Sequence, residues 1–328
     1  MDGGLKSKWM SNRIIKLSDL ARFSGTNFVG KDMVIRGLGL CNRNSEYHPI
    51  LSYTSSSDFL EKAVSNSAVQ ALVVTSEIYN LAPKERFSFV LTPFPEEVFY
   101  SIHRILCDET DFYECPTEAP LIGKNCHIHP TAILEDNVSI GNGVSIGAYT
   151  LIRRNSVIGD HCVIGNNTVI GSEGFQILRG CDGVPYRVKH VGGTVIGRYV
   201  HIGDQVTIAN ALFEGAVLVG DHTMIDNFCY IAHNCVIGRN CVLTASVRLM
   251  GSVVLEDYVY VAPQAVVLNK ITIGEEAFVG TSALVNKDVP AHRIVMGIPA
   301  ELKEDYMSQR NVIKSLQRER KPGVEYGV

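Results

Sequence analysis

What the sequence leaves out narrows its reading first. No apolar run reaches the roughly 18 residues that a membrane-spanning helix needs, so the 46% of hydrophobic residues must be spent on an interior. Residues 1–9 lack the apolar stretch of a signal peptide, which makes a cytoplasmic location the expectation and the first dozen residues an extension. A net charge of −4 rules out a generally basic nucleic-acid binder. Nine cysteines are present, but Cys41, Cys107, Cys115 and Cys181 show no paired C-x-x-C spacing, which speaks against a zinc or redox motif. No close H-x4-H pair stands among the ten histidines, so a metal-dependent enzyme of the carbonic anhydrase kind, which needs three converging histidines, is disfavoured. GNGVSIG at 141–147 has the look of a phosphate loop, but its glycines fall in phase with a repeat and read as turns.

That repeat dominates the chain. Aliphatic residues return every sixth position through Ile122, Ile128, Leu134, Ile140, Ile146, Ile152, Ile158, Ile164 and Ile170, and again from Val219 through Ile225, Ile231 and Ile237 to Val285. A helix would place them at i, i+3, i+4 and i+7 and a half-buried strand at alternate positions, so a period of six belongs to a supersecondary unit. Two residues before each aliphatic stands a small or β-branched residue, such as Cys126, Thr150, Ser156, Cys162, Thr168, Thr223, Cys229, Cys235 and Cys241. One large and one small inward side chain per hexapeptide fits a prism of short parallel strands, three hexapeptides to a coil. Five of the cysteines are thereby assigned to packing.

The fold class expected is mainly β: a parallel β-helix of hexapeptide repeats over residues 120–290, preceded by a small α/β domain and followed by a terminal helix. The α/β domain covers 13–108, with helices at 17–23 (capped by Ser18), 57–65 and 95–106 and strands near 33–35, 50–53, 71–75 and 87–91. A polar linker spans 109–119. The ladder is interrupted by an insertion at 172–194 and again near 209–216, and insertions in solenoids are extruded as loops, often over the binding face. After Pro290 the pattern is expected to stop, and the tail 291–328 carries GIPA and a helix from about 301 to 320. Its Lys303, Arg310, Lys314, Arg318, Arg320 and Lys321 form either a solvated face or a docking surface for an acidic partner.

His127, His129, His161, His201 and His222 fall at outward or turn positions and read as surface residues. His233, in YIAHNCVIG, projects from the prism wall. One coil of eighteen residues later stands Gly251, and strands of successive coils lie about 4.8 Å apart. A base beside a backbone N–H donor is what acyl transfer needs, one to take the nucleophile's proton and the other to hold the oxyanion.

The stretches IGSEGFQ and IDNFCYIAHNCVIG, with KLSDLARF near the start and the GIP motif near the end, resemble the UDP-3-O-acylglucosamine N-acyltransferase family of lipid A biosynthesis over nearly the whole chain. The resemblance implies a left-handed winding, against the usual right-handed crossover preference, and a homotrimer with active sites between subunits. It assigns the general base to His233 and the oxyanion donor to Gly251. It also implies a nucleotide-sugar substrate and an acyl thioester, on acyl carrier protein or coenzyme A, as co-substrate, with no permanently bound cofactor and no metal. Asp226 or Glu214 is the expected orienting group for the imidazole. Tyr53 and Phe59 are the aromatics expected to stack the base, with Asn234, Asn269 and Lys270 as further substrate contacts and Met250, Leu268 and Leu284 as walls of the acyl groove. Three departures stand out. Asn269-Lys270 occupies the place of a second family histidine, Ser56 and Asp58 replace an Asn and a Lys of the F-x-x-N-x-K-Y motif, and TIANALFE replaces T-I-D-R-G-A. These leave open an N-acyltransferase for a deoxyamino sugar of surface polysaccharide or secondary metabolism, and a non-catalytic nucleotide-sugar-binding homologue.

Overall fold

A computed structural model describes residues 13–42, 48–114, 117–180, 183–213 and 215–319. Cys115, Cys181, Glu214, Arg320 and Lys321 lie outside the described residues. The period of six becomes a three-faced prism, each face a parallel sheet joined by coil-to-coil pairing. Face one runs from Leu121–Ile122 to Thr272–Ile273, face two from His127–Ile128 to Ile294–Met296, and face three from Ile133–Leu134 to Leu284–Val285. In each two-residue strand of the central coils, the second residue points inward and is buried. Ile152, Ile170, Ile231, Leu243, Leu249 and Val261 are fully buried, and burying each aliphatic side chain contributes about 1.5–3 kcal/mol. The first coil is the open end, where Ile122 is 52% exposed and its ladder position is not filled from above.

The small inward residues also have a polar task. Cys162, Cys229, Cys235 and Cys241 direct their thiols at carbonyls of Gly197, Thr244, Met250 and Glu256, 3.0–3.2 Å away. Thr150, Thr168 and Thr223 do the same with Gly165, Gly203 and Gly238. A corner carbonyl that faces the apolar interior is thereby satisfied. Burial pushes the thiols of Cys162, Cys229 and Cys241 up to about 11, so they stay protonated and inert.

Most turn glycines are not the residues that bend the backbone into the left-handed region. The left-handed backbone positions are filled by residues such as Asn125, Tyr149, His161, Tyr199 and Asn234. Gly141 is required for close approach instead, since a Cβ there would stand 2.7 Å from the Asp160 nitrogen of the next coil.

The amino-terminal domain is a five-stranded sheet in the order Asn27–Val29, Ser88–Leu91, Val69–Val74, Ile50–Thr54, Gly37–Leu38. Around it lie α1 (Leu17–Phe23), α2 (Ser57–Ser65), α3 (Ser76–Leu81) and α4 (Pro95–Asp108). Ser18 does not cap α1. Lys16 is the cap residue, and the Ser18 N–H and hydroxyl both bond Asp32 at 2.9 Å. Beyond Pro290 the prism continues, because Ile294–Met296 adds a strand to face two before α5 (Lys303–Glu319) begins. None of these helices is long and apolar enough to cross a membrane.

Both irregularities of the ladder leave the prism at one edge, the corner from face three back to face one. The first forms a hairpin, Ile177–Arg179 paired with Pro185–Arg187, and the second carries Leu212 and Phe213. Helix α4 grips both extrusions. His103 Nε2 lies 2.9 Å from the Lys189 carbonyl, the Tyr100 hydroxyl accepts from Gln176 at 2.8 Å, and the rings of Phe99 and His103 pack edge-on against Phe213 at 5.6 and 5.0 Å.

The inward ladder predicts a sharp asymmetry between neighbours. Leu243→Ala, at a fully buried position, should destabilise the protein by about 2–5 kcal/mol. Val242→Ala, outward on the same strand, should cost under about 1 kcal/mol. Chemical denaturation measures both, and equal losses would contradict the assignment of faces.

Candidate active site

The edge that releases both loops also carries His233, Gly251 and Lys270 on successive coils. Backbone bonds fix their stacking: the His233 carbonyl accepts from Ser252 N–H at 2.8 Å, and the Gly251 carbonyl accepts from Lys270 N–H at 3.0 Å. His233 is half-buried. A Cβ on Gly251 would lie 2.7 Å from both Nε2 and Cε1 of His233, so the imidazole rests on the glycine and any side chain there would displace it.

The tautomer follows from Asn234. Its Oδ1 accepts from the Leu212 N–H at 2.9 Å, which identifies that atom as the oxygen. His233 Nδ1 lies 3.3 Å from the same oxygen, so Nδ1 carries the proton and Nε2, above Gly251, holds the lone pair of a base. Burial pushes the His233 pKa below the usual histidine value, partly offset by the bond to Asn234. The ring is neutral, and competent as a base, at physiological pH.

Several corner donors are capped by side chains of the following coil. On the edge between faces one and two, the N–H groups of Lys124, Asn142, Arg198 and Arg239 are capped from the following coil by Asn142, Asp160, Asp221 and Asp257, at 2.6–2.9 Å. On the next edge, Asn166 and Asn227 cap Ala148 and Asp204. Asn269 stands in the corresponding place for Gly251. Among the described residues, however, no carbonyl or side chain accepts from the Gly251 N–H. It remains a free donor beside a base.

The orienting role expected of Asp226 belongs to Asn234. Asp226 is exposed at the edge between faces two and three, where its carboxylate accepts from Asn227 N–H at 2.7 Å. Asn234 itself, expected to touch substrate, has its carboxamide oxygen committed to His233 and Leu212. Of the three expected groove residues, Met250 and Leu268 stack on consecutive coils beside Gly251, while Leu284 points outward on face three in the neighbouring column, above Val266 and Arg248.

The nucleotide-site aromatics divide. The Tyr53 hydroxyl donates to Glu96 at 3.0 Å and its ring packs against Phe99 at 4.9 Å. Burial, then Tyr100 and Glu96, raise its pKa well above the ordinary phenol value. Phe59 is the more available ring, and two ammonium groups address it: Lys62 at 4.5 Å and Lys270 at 5.8 Å from its centroid. Lys270 therefore reaches from the prism to the amino-terminal domain. Ser56 caps α2 through the Phe59 N–H and Asp58 lies in that helix's first turn, so both departures from the family motif have a local helical role. Where position 58 offers no cation, Lys62 and Lys270 bring two to the Phe59 ring.

His190 escaped the sequence reading. It belongs to the extruded loop, outside the phase of the hexapeptides, and its ring centroid lies 5.1 Å from that of His233. No spacing rule brings an insertion residue to a particular coil. The nearest signal was that a solenoid loop tends to cover the binding face.

A hexapeptide prism with an imidazole and a free backbone donor one coil apart has the geometry that acyl transfer uses, and its relatives place the chain among acyltransferases. Residues 119–154, 140–172 and 216–251 match the bacterial transferase hexapeptide (six repeats) family. The chain is 31% identical to a UDP-3-O-acylglucosamine N-acyltransferase of Campylobacter concisus, over 93% of this chain and all of that one. It is 29% identical to the enzyme of that name from Campylobacter lari, over 89% of this chain and 95% of the relative. The chain belongs to the UDP-3-O-acylglucosamine N-acyltransferase family. A UDP-N-acetylglucosamine acyltransferase from Campylobacter jejuni shares the fold, with a TM-score of 0.51 and 22% identity over 61% of this chain and 81% of that structure.

Two buried histidines tie stability to pH. Burial holds His103 down to about 4 and, with His233 as a second cause, His190 down to about 3. The unfolded chain protonates both below about pH 6.5 while the folded one does not. The unfolded state then binds more protons, so stability falls as pH drops from 6.5 towards 4. The urea midpoint should decline across that window and decline less in His103→Phe; a midpoint independent of pH would contradict the burial of neutral rings.

Proposed function

We propose that the protein transfers an acyl group from a thioester to the amino group of a nucleotide-linked amino sugar of the lipid A precursor type. The observation that carries this reading is the His233 Nε2 lone pair resting on Gly251, whose N–H is uncapped. The amine attacks the thioester carbonyl and forms the new C–N bond while His233 Nε2 takes its proton. The oxygen of the tetrahedral intermediate accepts from Gly251 N–H. Collapse breaks the C–S bond, and the imidazolium returns its proton to the departing thiolate. Every step is a proton transfer or a heavy-atom bond exchange, so the chemistry calls for no resident cofactor or metal.

Phe59, flanked by Lys62 and Lys270, is the proposed seat of the nucleotide, with the ring stacking the base and the ammonium groups meeting the diphosphate. Met250, Leu268 and Leu284 are the proposed acyl wall. The proposed assembly is a homotrimer acting in the cytoplasm, with the neighbouring subunit closing the groove. Acyl carrier protein is the proposed donor, docking through Lys303, Arg310 and Lys314 of α5.

His233→Ala should lose about 10²–10⁴-fold in turnover while retaining its melting temperature, measured by mass spectrometry of the N-acylated product from a UDP-linked 3-O-acyl amino sugar. Near-normal turnover would sink the mechanism. The charge reversals Arg310→Glu and Lys314→Glu should weaken carrier-dependent turnover, most strongly at low salt. An unchanged rate with carrier protein at all salt concentrations would remove α5 as the docking surface.

A further inference from the structure

His190 is only 7% exposed, and acyl transfer as described makes no use of it. Its Nδ1 lies 3.0 Å from the Val188 carbonyl oxygen, an atom that can only accept, so Nδ1 bears the proton and Nε2 a lone pair. That Nε2 is buried and, among the described residues, has no hydrogen-bond partner. A buried acceptor left unmet is destabilising, yet the surroundings hold it in place. Asn210 Nδ2 donates to the carbonyls of His190 and Gly192, at 3.3 and 3.1 Å, while its Oδ1 accepts from Gly174 N–H at 3.2 Å. Arg187 donates to the Gly174 carbonyl at 3.1 Å. The unmet nitrogen faces Gly174, at the start of the same loop. A Cβ on Gly174 would stand 2.4 Å from His190 Nε2 and 2.9 Å from His233 Cβ, so the lone-pair edge of one histidine and the side chain of the other meet over the same glycine.

A neutral imidazole fixed in this tautomer is a dipole whose negative end is Nε2. The ring that carries it is centred 5.1 Å from that of His233, and a negative potential at that distance favours the protonated form of the neighbouring imidazole. His233 has need of such a neighbour, since its Nδ1 partner is the neutral Asn234 and burial opposes its charging. Among the described residues no carboxylate bonds to it. The other titratable groups nearby are otherwise engaged: Arg187 pairs with Glu173 at 3.4 Å, Lys189 with Asp108 at 3.3 Å, His103 bonds the Lys189 carbonyl, and Lys270 reaches towards Phe59.

We propose that His190 is a positioning residue of the acyl transfer: its Nε2 lone pair stabilises the imidazolium formed when His233 takes the proton of the attacking amine. The role rests on the reading of His233 as general base. The extruded loop thus supplies a second histidine from outside the coils, in a chain where Asn269-Lys270 stands at the place of the family's own second histidine.

The test compares turnover against pH, and melting temperature, for the full-length protein and for His190→Gln, His190→Leu and His233→Ala. Gln retains an acceptor and should keep turnover within about threefold with the acid limb of the pH profile unmoved. Leu removes the lone pair, so turnover should fall about tenfold or more and the acid limb should move to lower pH, because the imidazolium has lost its support. A purely structural role would lower the melting temperature and leave the limb where it was. Should the Leu variant fail to fold, His190→Met replaces it in the same comparison. A folded Leu or Met variant with the wild-type limb, or with a limb moved upward, overturns the proposal. An inactive His233→Ala beside such a variant leaves the base in place and removes only His190; an active His233→Ala removes the base itself.

Discussion

The register of one coil on the next is the constraint on which the rest depends. Each coil hands its backbone bonds to the coil stacked on it, and the inward aliphatic of every hexapeptide must meet its counterpart. A residue gained within a strand would turn the ladder outward. Extra residues are therefore accommodated only at corners. Here the insertion that carries His190 and the irregularity that carries Phe213 use the same edge. The register also places His233 and Gly251 one rung apart without any side chain having to arrange it. Two chemical groups eighteen residues apart in sequence are held together by the same bonds that make the prism.

What sets that edge apart is an imidazole beside an uncapped donor. On the other two edges Asn and Asp side chains reach across from the following coil to cap several of the corner N–H groups, and a capped donor has nothing to offer a substrate. At Gly251 the cap is missing and an imidazole stands in the space that a side chain would have filled. The amino-terminal domain completes the arrangement through α4, which clamps the loop bearing His190 and the segment bearing Phe213. Lys270 spans the remaining distance by approaching Phe59 from the prism. The Phe59 surface and the edge that carries His233 are consequently parts of one continuous structure.

Much of this was legible in the residues. The period of six gave faces, coils and the pairing of His233 with Gly251, because stacking converts sequence separation into distance at a fixed rate. The helices at 57–65 and 95–106 were readable from pattern, the latter extending to Asp108. What escaped was whatever lies off the ladder. Asp226 seemed a natural partner for His233 by proximity in sequence, yet seven residues carry the chain past a corner and onto another edge. Asn234 does the orienting because it adjoins the histidine at the same corner. Ser18 looked like a cap but is engaged by Asp32, a partner brought by the fold. His190 and Lys270 owe their places to a loop and to a domain contact, and neither obeys a period.

The most direct measurement is a crystal structure of the protein with its N-acylated product bound. The account predicts the new amide at the third edge, its carbonyl oxygen about 3 Å from the Gly251 nitrogen and its nitrogen within about 3 Å of His233 Nε2, with the acyl chain running along Met250 and Leu268. A product whose amide lies on another edge, or whose carbonyl is met by some other donor while Gly251 stays unengaged, would contradict it.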